Sequence, residues 1–144
     1  MTQSPSLQSP PWQIDHIGIA VTDLSAAIAL YQSTAHTEVT LRERLVPQGV
    51  ELVFLNTGGT KLELLAPLDQ NSTLARFIAR RGPGLHHICY RVDNIVSELA
   101  RLTAQGLTLI DHAPRHGAGG TKIAFISPPS FMGVLTELCE YPQG

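Results

Sequence analysis

Cysteine is scarce in this chain: only Cys89 and Cys139 occur, both inside apolar, strand-like runs. Two cysteines are too few for the disulfide framework of a small secreted domain, and neither has the CxxC partner of a redox motif. Free, buried thiols are expected. Long hydrophobic runs are also missing. No apolar stretch reaches the roughly 18 residues that a membrane-spanning helix needs. No run of like charges occurs, and the net charge is −2 with a pI near 6.3. That excludes a strong field favouring nucleic acid or an anionic membrane. Residues 1–13 are rich in Ser, Pro and Gln and lack the basic start and apolar centre of a signal peptide. They are read as a flexible tail, and a cytoplasmic location is the default expectation.

Familiar catalytic signatures are absent as well. No Ser-His-Asp or Cys-His arrangement can be assigned from spacing. Gly117-Ala118-Gly119-Gly120-Thr121-Lys122 matches neither GxxxxGK[ST] nor GxGxxG. It reads as a glycine-rich loop before a strand. Backbone N–H groups at Gly117 and Gly119, with the Lys122 charge, are weaker candidates for contacting an anionic ligand.

What is present is an internal repeat. The 144 residues, 43% hydrophobic and 15% charged, suit one compact domain or two small fused modules. Ile14-Asp15-His16-Ile17-Gly18-Ile19-Ala20-Val21 aligns with Leu85-His86-His87-Ile88-Cys89-Tyr90-Arg91-Val92. His16 falls on His87 and Val21 on Val92. Each copy then runs through a capping residue into a helix, with Thr22 or Asp23 in the first and Asp93 or Asn94 in the second. Leu24, Ala27, Ile28 and Tyr31 form the apolar stripe of the first helix. Ile95, Leu99 and Leu102 form that of the second, which ends at Gly106. Strands are predicted over 50–55 and 61–65 in the first half, and over 107–111, 121–126 and 134–139 in the second. The order β-α-β-β-β is thus written twice. Residues 14–70 form the first module and 84–140 the second, joined by a linker helix near 71–83 within one domain over 14–144.

Each half also closes alike, Leu62-Glu63-Leu64-Leu65 matching Thr136-Glu137-Leu138-Cys139. Glu63 follows His16 by 47 residues and Glu137 follows His87 by 50. Taken singly, each residue would read as an ordinary strand residue. Recurrence in register makes them a set. Two imidazoles and two carboxylates suit a divalent ion such as Zn, Co, Mn, Ni or Fe, leaving positions open for water or a chelating substrate. A carboxylate in an apolar strand needs a partner, because burying it alone is costly. His36, His112 and His116 have no repeat partners and read as loop or edge residues.

These residues also carry a resemblance. With Pro47-Gln48-Gly49-Val50, Ala66-Pro67-Leu68, Ser72 to Phe77 and Gly133-Val134-Leu135, the ordered set resembles the vicinal oxygen chelate superfamily, the glyoxalase and bleomycin resistance group. Within it, the set is most similar to the methylmalonyl-CoA epimerase branch, from about Ile14 to Glu140. The resemblance implies an α+β fold in which two tandem βαβββ modules form a cupped mixed sheet around a metal site. It implies one divalent metal ion (Co, Zn, Mn or Ni) on His16, Glu63, His87 and Glu137, and a homodimer. The implied substrate is an acyl-CoA, epimerised through an enolate that the metal stabilises. Glu137 and Glu63 are the expected bases.

Three departures from relatives stand out. Some carry Gln where this chain has Glu63. Some carry a Glu where it has Leu52; Glu51 is adjacent but belongs to the opposite strand face. Ser127-Pro128-Pro129 replaces a common His-Pro-Lys. Lactoylglutathione lyase shares fold and ligands and is the nearest alternative. A metal-free small-molecule binding protein is the second, although such members generally lose the ligand positions. An extradiol dioxygenase would need only three protein ligands on iron.

Overall fold

The computed structural model describes residues 10–143. Strand β1 (Gln13–Ala20) leads into helix α1 (Leu24–Ala35), then β2 (Glu38–Leu45), β3 (Val50–Asn56) and β4 (Lys61–Pro67). Helix α2 (Thr73–Arg81) links to the second half. There β5 (Gly84–Arg91) and α3 (Ile95–Ala104) are followed by β6 (Arg115–His116), β7 (Lys122–Ile126) and β8 (Thr136–Glu140). The caps settle as Asp23 on Ala26 N–H, Ser72 on Ala75 N–H and Asn94 on Ser97 N–H. Each gives a helix start one side-chain acceptor for its orphan donors.

All eight strands form one curled mixed sheet, ordered β2-β3-β4-β1-β5-β8-β7-β6. β1 runs parallel to β4, and β5 parallel to β8, while β1 and β5 pair antiparallel at the seam. The order reads the same from either end when first-half strands are exchanged for their second-half counterparts. Strand parity sorts the faces. Val53, Leu55, Leu64 and Ala66 pack on α1 at the outer face, with Leu24. Ala124, Ile126 and Leu138 pack on Ile95, Leu99 and Leu102 of α3. The inner face lines a cavity.

The seam is irregular at two points. Ile14 pairs with Tyr90 but His16 with Cys89, so Asp15 is an extra residue on β1. Gly18 pairs with His87 but Ile19 with Leu85, so His86 is an extra residue on β5. Such bulges re-aim side chains that alternation would send to the far face.

Three expectations change. Residues 107–111 do not form a strand; Leu109 makes one isolated bridge to Ile126, and Arg115–His116 is the edge strand instead. Leu109 is held by the α3 core, so its apolar run reflects burial rather than pairing. The edge strand β2, mostly exposed and polar, carries little period-two signal. The tail expected over 1–13 lies outside the described residues up to position 9. Its last part is ordered: Trp12 stacks on Phe131 with centroids 6.2 Å apart and donates to Glu98 at 2.7 Å, and Gln13 opens β1. Among the described residues no helix is long and apolar enough to cross a membrane.

Candidate metal centre

The four repeated residues converge on the inner face of the sheet. His16 and His87 come from the paired seam strands, Glu63 and Glu137 from the strands flanking them. All four are buried, at 4–5% exposure. Glu63 Oε1 lies 3.4 Å from His16 Nε2 and 3.2 Å from His87 Nε2. Glu137 Oε1 lies 3.1 Å and 3.3 Å from the same two nitrogens, which are themselves 3.4 Å apart. Each triangle of two nitrogens and one oxygen is small enough for one ion to bond all three corners at about 2.0–2.2 Å, the usual reach of these ligands on zinc. The two imidazoles with Glu63, or with Glu137, therefore fit a divalent cation.

Charge supports the same fit. Burial alone would strip the proton from His87, but Glu137 and Glu63 hold its pKa up, to about 9. Burial is likewise outweighed at His16 by hydrogen bonds to Asp15, Glu137 and Glu63, and its pKa lies well above the ordinary value. Both carboxylates are pulled below their usual range against burial, Glu137 chiefly by the His87 charge and Glu63 by hydrogen bonds from the imidazoles. Two buried carboxylates thus demand about two positive charges, from imidazolium protons or from one divalent ion. Ligation requires neutral imidazole, so a cation and those protons compete.

The walls repeat as well. Phe54 on β3 pairs with Glu63 and makes a T-shaped contact with the His16 ring, centroids 4.9 Å apart. Phe125 on β7 pairs with Glu137 and does the same to His87 at 5.6 Å. This aromatic pair escaped the sequence reading, although Phe-before-Glu recurs in both halves. Gly18 is needed for contact: a Cβ there would lie 2.2 Å from the His87 ring. A cavity of about 400 Å³ opens above the four residues, bounded by Leu52, Leu65 and Leu74 among others, with Lys61 and Arg115 on its wall. That volume lies within the range of small-molecule sites.

Other sequence candidates fall elsewhere. Leu52 faces the cavity, whereas Glu51 lies on the opposite strand face with Arg42 Nε at 3.4 Å. Gly119 lines the cavity, but its N–H already donates to Glu43. Gly117 is packed against Thr121 and Ile123. Lys122 does not reach the site: β7 parity turns it outward, toward Glu140 at 3.8 Å on the α3 side. Cys89 and Cys139 are free and buried, and burial pushes the Cys89 thiol far up. Asp15, Lys61 and Tyr141 join the site unpredicted.

Comparison with known proteins agrees with this geometry. Residues 15–125 match the family described as the Glyoxalase/Bleomycin resistance protein/Dioxygenase superfamily. The ethylmalonyl-CoA/methylmalonyl-CoA epimerase of Cereibacter sphaeroides is 38% identical over 88% of this chain and 96% of its own. The crystal structure of methylmalonyl-CoA epimerase from Mycobacterium tuberculosis superposes with a TM-score of 0.86 at 36% identity, covering 90% of this chain and 88% of that one. A methylmalonyl-CoA epimerase solved with methylmalonyl-CoA and NH4+ superposes with a TM-score of 0.85 at 34% identity, covering 90% and 94%. The chain therefore belongs to the glyoxalase/bleomycin resistance protein/dioxygenase superfamily, among relatives that are methylmalonyl-CoA epimerases.

Proposed function

We propose that this chain interconverts the (R) and (S) forms of methylmalonyl-CoA, removing the α-proton on one face and returning a proton on the other. The observation that carries the reading is the pair of buried carboxylates, Glu63 and Glu137, reaching one cavity floor from opposite sides of the β1–β5 seam. Inversion at carbon needs a base on each face, and the pseudo-twofold supplies two. Both are held ionised, which is the form that accepts a proton. Glu51 has no comparable access.

A bound divalent ion would be held by His16, Glu63, His87 and Glu137, and would supply Lewis-acid polarisation of the substrate's oxygens. Phe54, Phe125 and Leu52 give apolar walls to the cavity around the carboxylates. Lys61 and Arg115 on the cavity wall are each paired with a carboxylate, Asp15 and Asp111, so an anionic acyl-CoA would have to compete for them. The relatives solved or named as epimerases support this substrate class. A homodimer is the assembly proposed by analogy with the family; light scattering on purified protein checks it.

The decisive measurement is epimerisation of methylmalonyl-CoA, with α-proton exchange into deuterated solvent, by protein reloaded with Co, Zn, Mn or Ni separately. Turnover with at least one metal is expected, alongside none with the hemithioacetal of methylglyoxal and glutathione. Full activity in Glu63→Gln together with its loss in Glu51→Gln would overturn the base assignment.

A further inference from the structure

The bulge on β1 has put a carboxylate where strand alternation would not. Asp15 and His16 are sequence neighbours, yet both reach the inner face. Asp15 Oδ2 lies 2.7 Å from His16 Nδ1, on the side of the ring away from the metal-facing Nε2. The Asp15 side chain is itself only 8% exposed. Its other oxygen accepts a hydrogen bond from the Tyr141 hydroxyl at 2.6 Å, and Lys61 Nζ stands 3.5 Å from Oδ2 while donating to the Tyr141 oxygen. Arg91 covers the Tyr141 ring at 4.1 Å. Among these groups, only Asp15 touches His16.

We infer that Asp15, clamped by Tyr141 and Lys61, is a positioning residue that holds a proton on His16 Nδ1 and so leaves Nε2 as the donor atom for the cation. The inference rests on the metal reading of the site. Its physical basis is general: a ring nitrogen that donates to a carboxylate fixes the tautomer and ring plane, and raises the basicity of the other nitrogen. A buried acceptor with two further donors has little freedom to let the ring turn. Neither Asp15 nor Tyr141 needs to touch substrate for this role.

The test uses the whole chain and three variants, Asp15→Ala, Asp15→Asn and Tyr141→Phe, each checked for folding by thermal melt. Affinity for Co²⁺ or Zn²⁺ alone is read by competition with a chelator. Asp15→Ala should bind about 10- to 100-fold more weakly, the usual cost of losing such a partner. Tyr141→Phe should lose less than about tenfold, because the carboxylate remains. Should Asp15→Ala fail to fold, Asp15→Asn and Tyr141→Phe carry the comparison. In parallel, long-range proton–nitrogen spectra of Zn²⁺-loaded wild type should show His16 carrying its proton on Nδ1, with that signal exchanging faster in Asp15→Asn. Unchanged metal affinity in the Asp15 variants, or a Zn²⁺-loaded His16 that carries its proton on Nε2, overturns the inference. A wild-type protein that binds no divalent ion sinks the metal reading and this inference with it, whereas ion binding that the Asp15 variants leave unchanged sinks this inference alone.

Discussion

In the first half of the sheet, His16 pairs across the seam with Cys89, and its Nδ1 meets a carboxylate. In the second half, His87 lies over the bare backbone of Gly18, and its Nδ1 meets another imidazole, His86, at 2.9 Å. Asp15 and His86 are the two bulged residues, and they align in the internal repeat. The folds of the halves agree while their supports differ. His16 receives an anionic partner. His87 receives a neutral one, since burial and the His87 charge push His86 down to about 4. Phe77 of α2 backs that ring, with centroids 4.6 Å apart. The repeat thus preserves the two facing imidazoles, while the surroundings of each are free to diverge.

The largest test of this comparison separates the two carboxylates. Glu63→Gln and Glu137→Gln should each lower epimerisation by about 10²- to 10⁴-fold, the usual contribution of a positioned base. Each should spare deuterium wash-in to one epimer and abolish it in the other. Equal loss of wash-in to both epimers from one substitution would show that the halves do not divide the work.

Next come the two cores. Leu64 packs on α1 and Leu138 on α3, and both are fully buried. Leu64→Ala and Leu138→Ala should each cost about 2–5 kcal/mol in denaturant unfolding. A single cooperative transition in both variants is expected for one continuous sheet; two resolved transitions would show that the halves melt separately.

Gly18 and Cys89 then sharpen the seam. Gly18→Ala must displace the His87 ring or the strand, costing roughly 1–3 kcal/mol and weakening divalent-ion binding. Cys89→Ala removes atoms beneath His16 and should leave ion affinity nearer to wild type. Thermal melts with and without Zn²⁺ read both effects.

The protonation balance gives a test with a definite sign. In protein stripped of divalent ions, His87 is raised from 6.5 to about 9, and His16 is raised too. Stability from the His87 proton is fully present below pH 6.5 and is lost as pH rises through 9. The melting temperature of stripped protein should therefore fall across that window, and His87→Gln should flatten the fall. Stabilisation by added Zn²⁺ should run the other way, growing as pH rises, because the ion displaces protons. The smallest effects concern the helix starts: Asp23→Ala and Asn94→Ala should each cost about 1 kcal/mol. A difference between them beyond that scale would mark one cap as doing more than satisfying backbone donors.

Much of the centre was legible before folding. The in-register recurrence of His16 with His87 and of Glu63 with Glu137 marked the four residues that the fold brings together, because polar residues repeated in apolar strands need a shared partner. Parity also placed Glu51 on the wrong face. Parity failed at Asp15 and His86, since a bulge leaves no local signature in Ile14-Asp15-His16. Lys122 was offered only as a charge beside a glycine-rich loop, although alternation with Ile123 and Phe125 turns it outward. The expected strand over 107–111 failed for a different reason: its apolar residues satisfy α3 rather than a neighbouring strand.

The sequence by itself determined the periodic patterns: two βαβββ units, three capped helices, and two histidines and two glutamates at repeated positions. Those follow from contacts between near neighbours and from the alternation of faces. Only the tertiary structure decided what meets across the seam. The antiparallel pairing of β1 with β5 brings His16 and His87 within 3.4 Å of one another. It also creates the bulges that aim Asp15 and His86, and the approach of β8 brings Tyr141 to Asp15, 126 residues away in the chain. Such contacts depend on register between distant strands, which local residue preferences do not encode.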